Sequence, residues 1–188
     1  MTRAQEMQAE SRAILDEMHD LLAGRHIRIM EVCGTHTVAI FRAGLRQILP
    51  PEVELVSGPG CPVCVTPDSY IDAAIAYAGM EDVIITTFGD MLKVPGTSSS
   101  LAAAQAAGAD VRIVYSPLDA LPIAAEHPEK KVIFLAVGFE TTAPTEAAAV
   151  LAAERQGCGN FFLLSAQKLV PPVMRTLLDD GTAAVDGF

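Results

Sequence analysis

The chain has 188 residues, a formal net charge of −10, 51% hydrophobic residues and no run of eighteen apolar residues. That length suffices for one domain, or for one plus part of another. The charge disfavours nucleic acid, which Lys and Arg clusters hold through its phosphates, and the lack of a long apolar run disfavours a membrane span.

Ile14, Leu15, Met18, Leu21 and Leu22 recur at helical spacing, and Gly24 supplies a stop, which predicts a first helix. Met1 to Glu10 has no apolar core, so neither a secretory nor a transit segment is expected and the cytoplasm is the default location. Short β-branched runs follow at Ile27 to Val32, Val53 to Val56, Val83 to Thr87, Val111 to Tyr115, Val132 to Val137 and Phe161 to Leu164, as buried parallel strands require. Between them, Ser98 to Ala107 and Thr142 to Gln156 are alanine-rich helical segments, and Pro117 suits a helical first turn.

The alternation predicts an α/β protein with a Rossmann-like parallel sheet, flanking helices and binding loops at the carboxyl ends of the strands. The polar stretch from Glu126 to Lys131 interrupts the apolar rhythm. It is the expected boundary between a first α/β domain at 1–126, which carries the cysteine motifs, and an incomplete second α/β domain at 127–188. Val185 to Phe188 reads as the start of another strand with no turn to close it, as in a truncated chain.

Four segments past predicted strands carry the chemistry. Cys33, within Glu31-Val32-Cys33-Gly34-Thr35-His36-Thr37, sits at a strand-to-helix turn, where the helix dipole and backbone N–H groups favour a thiolate. His36 is placed to donate a hydrogen bond or a proton; the plainer alternative is a buried cysteine and a capping histidine. Cys61 and Cys64, within Gly58-Pro59-Gly60-Cys61-Pro62-Val63-Cys64, have a spacing that suits either a disulfide or a shared metal. Four cysteines without a signal sequence favour metal or redox chemistry over a structural disulfide framework.

Asp90, in Phe88-Gly89-Asp90-Met91-Leu92-Lys93-Val94-Pro95-Gly96, either orients His36, carries a proton or caps a helix. Glu140, Thr141 and Thr142, in Gly138-Phe139-Glu140-Thr141-Thr142-Ala143-Pro144, open a helix with Thr142 as its N-cap, where backbone N–H groups could hold an anion or a cofactor phosphate. Cys158, between two glycines, is read as incidental.

In their order and spacing these four segments resemble the HypD family of hydrogenase maturation proteins, over essentially the whole chain. The resemblance implies two Rossmann-like domains flanking a cleft, and a C-terminal region with a 4Fe-4S cluster whose cysteines this sequence lacks. It implies a scaffold on which the Fe(CN)2CO group of nickel-iron hydrogenase is assembled. Cys33 would ligate iron, shared with the HypC chaperone, and Cys61 and Cys64 would form a redox-active pair. His36 and Asp90 would support the site, and HypE would donate cyanide. Two other readings stay open from the residues alone: a free-standing thiol-disulfide oxidoreductase using Cys61 and Cys64, and a zinc-stabilised binding module in which Cys33, His36, Cys61 and Cys64 converge on one metal.

Overall fold

The computed structural model describes residues 2–181 and 183–188. In chain order it runs α1 (Arg3–Leu22), β1 (Ile27–Glu31), α2 (Gly34–Arg42), α3 (Leu45–Ile48), β2 (Val53–Ser57), α4 (Asp68–Ala78) and β3 (Val83–Thr87). It continues with α5 (Leu101–Ala106), β4 (Val111–Ile113), α6 (Ala120–Glu126), β5 (Lys131–Ala136), α7 (Ala143–Arg155), β6 (Phe161–Ser165) and α8 (Val170–Asp179). The fold class is α/β as expected, with parallel sheets flanked by helices. The strands form two sheets rather than one: β1–β2, and β4–β3–β5–β6.

Two compact units result, Met1–Cys61 with Pro171–Phe188, and Pro62–Val170. In the first, Thr2 caps α1, accepting from the Gln5 N–H while its own N–H donates to the Gln5 side chain. Ala23 at φ +49° and Gly24 at φ +78° end the helix, the left-handed turn that the glycine signalled. β1 and β2 pair in register from Ile27 opposite Val53 to Glu31 opposite Ser57. On the other edge of β1, the Asp186 N–H donates to the Arg28 carbonyl at 2.8 Å and the Met30 N–H donates to the Gly187 carbonyl at 2.9 Å. The strand-like end of the chain therefore makes a parallel bridge to β1, within the first unit.

The second unit is a sheet with helices on both faces. Side chains alternate along each strand: Ile84, Val132, Phe134 and Ala136 pack with Ala120, Leu121 and Ala149 on one face. Val83, Ile85, Ile133 and Leu135 pack with Ile71, Ala74 and Leu101 on the other. Phe134 is fully buried and meets Phe88 edge to face at 5.4 Å between ring centroids, so truncating it to alanine costs about 3–5 kcal/mol.

The boundary expected after Glu126 is not where the units divide. A split there would separate β3 from β5, which are hydrogen-bonded neighbours. The polar segment is instead held from the side by Asn160, whose amide donates to the carbonyls of Ala124, His127 and Lys130 at 2.9, 3.0 and 2.9 Å. Charge and proline there mark a surface turn between α6 and β5. Among the described residues no helix is long and apolar enough to cross a membrane.

Candidate functional site at the strand ends

β1 and β2 end level, so the Cys33 turn and the Gly58–Cys61 loop leave the sheet side by side. Cys33, at φ −151° and ψ 120°, is the extended N-cap residue of α2. No side-chain cap bond of strict geometry closes this helix start, yet the backbone N–H groups of His36 and Thr35 face the sulfur. They hold the Cys33 thiol below its ordinary pKa, His36 contributing most and partial burial opposing. The side chain is half-buried, so the thiolate remains accessible.

Gly60 lies against this turn. A Cβ added there would come within 2.8 Å of the Gly34 nitrogen and 2.9 Å of the Cys33 Cα and nitrogen. Only glycine lets the loop that carries Cys61 approach the Cys33 backbone so closely. The Gly58 N–H donates to the Glu31 carbonyl at 2.8 Å. The Glu31 carboxylate accepts from Ser57 Oγ at 2.9 Å and from Arg46 Nη2 at 3.3 Å, while its Oε2 is buried with no hydrogen-bond partner. Glu31 thus ties the two strand ends to α3 directly below the cysteine turns. Nothing in the sequence marks Glu31 for this role, because a lone acid at the end of an apolar strand gives no periodic signal.

Cys61 and Cys64 are disulfide-bonded, whereas Cys33 and Cys158 are free. The chain between the bonded pair enters a 3-10 turn at Val63–Val65, closed by Thr66 Oγ1 donating to the Pro62 carbonyl at 2.9 Å. Among the described residues no three His, Cys, Asp or Glu side chains gather as a metal site. The zinc arrangement, which needs Cys33, His36, Cys61 and Cys64 together, is not formed. His36 is exposed on the first turn of α2.

The remaining site candidates lie in the second unit. Asp90 is exposed in a 3-10 turn, Gly89–Lys93, whose N-cap is Phe88, so it does not cap that turn. The end of its segment is held by Asp72, which accepts from the Thr97 hydroxyl at 2.6 Å and the Thr97 N–H at 2.8 Å. Those bonds keep the Asp72 carboxyl below its usual range. Glu140 accepts the Val170 N–H at 3.0 Å, capping the start of α8. Thr141 is exposed.

Thr142 is the N-cap residue of α7 by position, but its hydroxyl makes no cap bond and donates instead to the Phe139 carbonyl at 3.0 Å. The anticipated anion cradle has few free donors. The Thr142 N–H bonds to Phe139, those of Thr145 and Glu146 bond to the Thr142 carbonyl, and Pro144 has none. Gly138 is required because a Cβ would collide with Thr142 Oγ1. Cys158 donates to Asn160 Oδ1 at 3.4 Å and packs against the core, consistent with a structural place.

These features define an α/β protein with paired cysteine turns at adjacent strand ends, a class suited to thiol chemistry. A family model described as "HypD: Hydrogenase formation hypA family" matches residues 8–188, and the chain belongs to the HypD family. It is 49% identical over 166 residues to the hydrogenase maturation factor HypD of Rhodobacter capsulatus, covering 88% of this chain and 44% of the relative. The same figures hold for the HypD of Escherichia coli (strain K12). The HypD of Rhizobium leguminosarum bv. viciae is 48% identical over 171 residues, covering 87% of this chain and 44% of the relative. The chain therefore spans less than half the length of these relatives.

Proposed function

We propose that this chain carries the iron-handling cysteines of a hydrogenase maturation scaffold. The observation that carries the reading is the adjacency of the Cys33 turn and the Gly60 loop, with the Cys33 thiol depressed by backbone N–H groups. Iron is the cargo, not a resident cofactor. A soft thiolate suits low-spin iron(II) bearing cyanide and carbon monoxide, and Cys33 is the ligand, shared with the HypC chaperone. Cys61 and Cys64 exchange two electrons and two protons between disulfide and dithiol.

His36 and Asp90 act around that site, orienting groups or carrying protons. Cyanide arrives on HypE, and electrons reach the cysteine pair from the 4Fe-4S cluster of the longer family members. Glu140, Thr141 and Thr142 remain the candidate positions for a bound cofactor. The protein works in the cytoplasm, where the thiols can be cycled.

Anaerobic iron loading in the presence of HypC tests the central role. Cys33→Ala should reduce retained iron to background, while Cys61→Ala should retain it and lose the two-electron thiol chemistry. Equal iron retention in wild type and Cys33→Ala would remove the assignment. The second reading, a free-standing thiol-disulfide oxidoreductase, is favoured by the disulfide itself. It predicts turnover of a disulfide substrate that is unchanged in Cys33→Ala.

A further inference from the structure

The second unit contains a cavity, mostly apolar in its lining, that the cysteine chemistry does not use. It occupies about 180 Å³ and is lined by Phe88, Tyr115, Ser116, Thr141, Thr145 and Glu146 among others, room for about six waters at their liquid share of 30 Å³ each. Its walls come from the segments that follow β3, β4 and β5. In the strand order β4–β3–β5–β6, the chain leaves β3 toward β4 and then crosses back to β5. The carboxyl ends of β3 and β5 therefore flank a topological switch point, where open parallel sheets bind ligands.

Glu146 gives the cavity its chemistry. Its side chain belongs to a residue only 5% exposed. Oε1 accepts from Gln167 Nε2 at 2.7 Å, and Oε2, which is not fully buried, is open to solvent. A carboxyl held this deep, with one oxygen that solvent reaches, offers an acceptor to a donor that enters from outside. No Lys, Arg or His lines the cavity, and the adjoining N–H groups of Thr142, Thr145 and Glu146 are already bonded within the chain. An anion would therefore meet no positively charged side chain there.

At the lip, the Tyr115 residue is 92% exposed, although its backbone is fixed: Asp119 Oδ2 accepts from the N–H groups of Tyr115 and Ser116 at 3.2 and 2.9 Å. An immobilised backbone presenting an uncovered aromatic ring beside a buried carboxyl offers two complementary contacts to positive charge. We propose that this cavity binds a small organic cation, an ammonium or guanidinium, paired with Glu146 and covered by Tyr115. The site is independent of the iron-scaffold reading, since none of its residues belongs to the cysteine turns.

The test uses methylguanidinium as probe and N-methylurea, its neutral counterpart of the same shape, as control. Binding is followed by amide chemical shifts of Tyr115, Ser116 and Thr141 to Glu146. Methylguanidinium should give saturable shifts at these amides, with N-methylurea binding at least about tenfold more weakly. Glu146→Gln keeps the side-chain length and should weaken the cation by about tenfold or more. Tyr115→Ala, at an exposed lip where the core is untouched, should weaken it about threefold. Equal binding of the two probes, unsaturable shifts, or full affinity in a folded Glu146→Gln or Tyr115→Ala variant would overturn the proposal. If Glu146→Gln did not fold, the probe pair and Tyr115→Ala would decide it.

Discussion

Gly60 is seated on the backbone of Cys33: the position its Cβ would take is 2.9 Å from the Cys33 Cα. The nearest atoms are main chain rather than a pliable side chain, so the strain of any larger residue must move one of the two turns. Gly60→Ala should lower unfolding free energy by about 1–3 kcal/mol in urea titration. It should also change the Cys33 alkylation rate, because the displaced loop exposes or covers the sulfur. A variant with wild-type stability and alkylation would mean that the loops are not held in contact.

Cys33 should titrate early. The N–H groups of His36 and Thr35 stabilise its charged form, so the thiolate appears at lower pH than in an ordinary thiol. Iodoacetamide labelling, read by peptide mass spectrometry at Cys33, should rise with pH and reach half-maximum below about 8.5. A midpoint at or above that value would contradict the field at the helix start.

Counting thiols gives a direct check on the disulfide. With Cys61 and Cys64 bonded and Cys33 and Cys158 free, the unfolded, unreduced protein should release two equivalents with a thiol reagent and four after reduction. Four equivalents before reduction, in protein kept from reductant, would show that the pair does not close.

Glu146 should make one contribution to stability that fades as pH rises. Burial raises its pKa in the folded state, with the Gln167 bond opposing. The protonated form is thus favoured by folding, and this contribution is complete below the unfolded Glu value of about 4.3. It is lost as pH climbs through the higher folded value. Glu146→Gln cannot titrate, so relative to wild type it should gain stability from pH 4 toward neutrality. Urea titrations of both proteins at several pH values measure the difference; a constant difference would refute the burial effect.

Asn160 should be costly to lose. Its amide serves three carbonyls of the α6–β5 connection. Asn160→Ala should destabilise by about 1–3 kcal/mol, and Asn160→Asp by more, since a carboxylate would face those oxygens. Thermal and urea unfolding of the two variants would rank them; the reverse order would exclude the donor role.

The strands were legible because buried parallel strands are continuous apolar runs. Val83–Thr87 appears in sequence and structure with the same ends, and the others differ by one or two residues. Helix ends marked by chemistry were legible too: Gly24 after α1 and Pro117 in the first turn of its 3-10 segment, whereas α5 starts later than the alanine-rich run from Ser98 suggests, because Ser100 caps it by accepting from the Ala103 N–H. The division into two sheets was not. Nothing in the composition of β2 and β3 says that they fail to pair, and the polar segment around His127 looks like a linker until Asn160, thirty-three residues later, is seen to hold it. At the site, the cysteine turns were visible as residue types. The roles of Glu31, Gln167 and Glu146 depend on contacts distant in sequence, which spacing does not encode.

The bridge between Ile29 and Gly187 has a consequence for how the molecule is made. The piece that completes the edge of β1 is synthesised after the whole of the segment Pro62–Val170, which is a compact unit. Folding of that inserted segment shortens the effective loop that must be closed, lowering its entropic penalty. Assembly order is thereby written into the connectivity: the inner unit forms first, and the outer one can finish only after it.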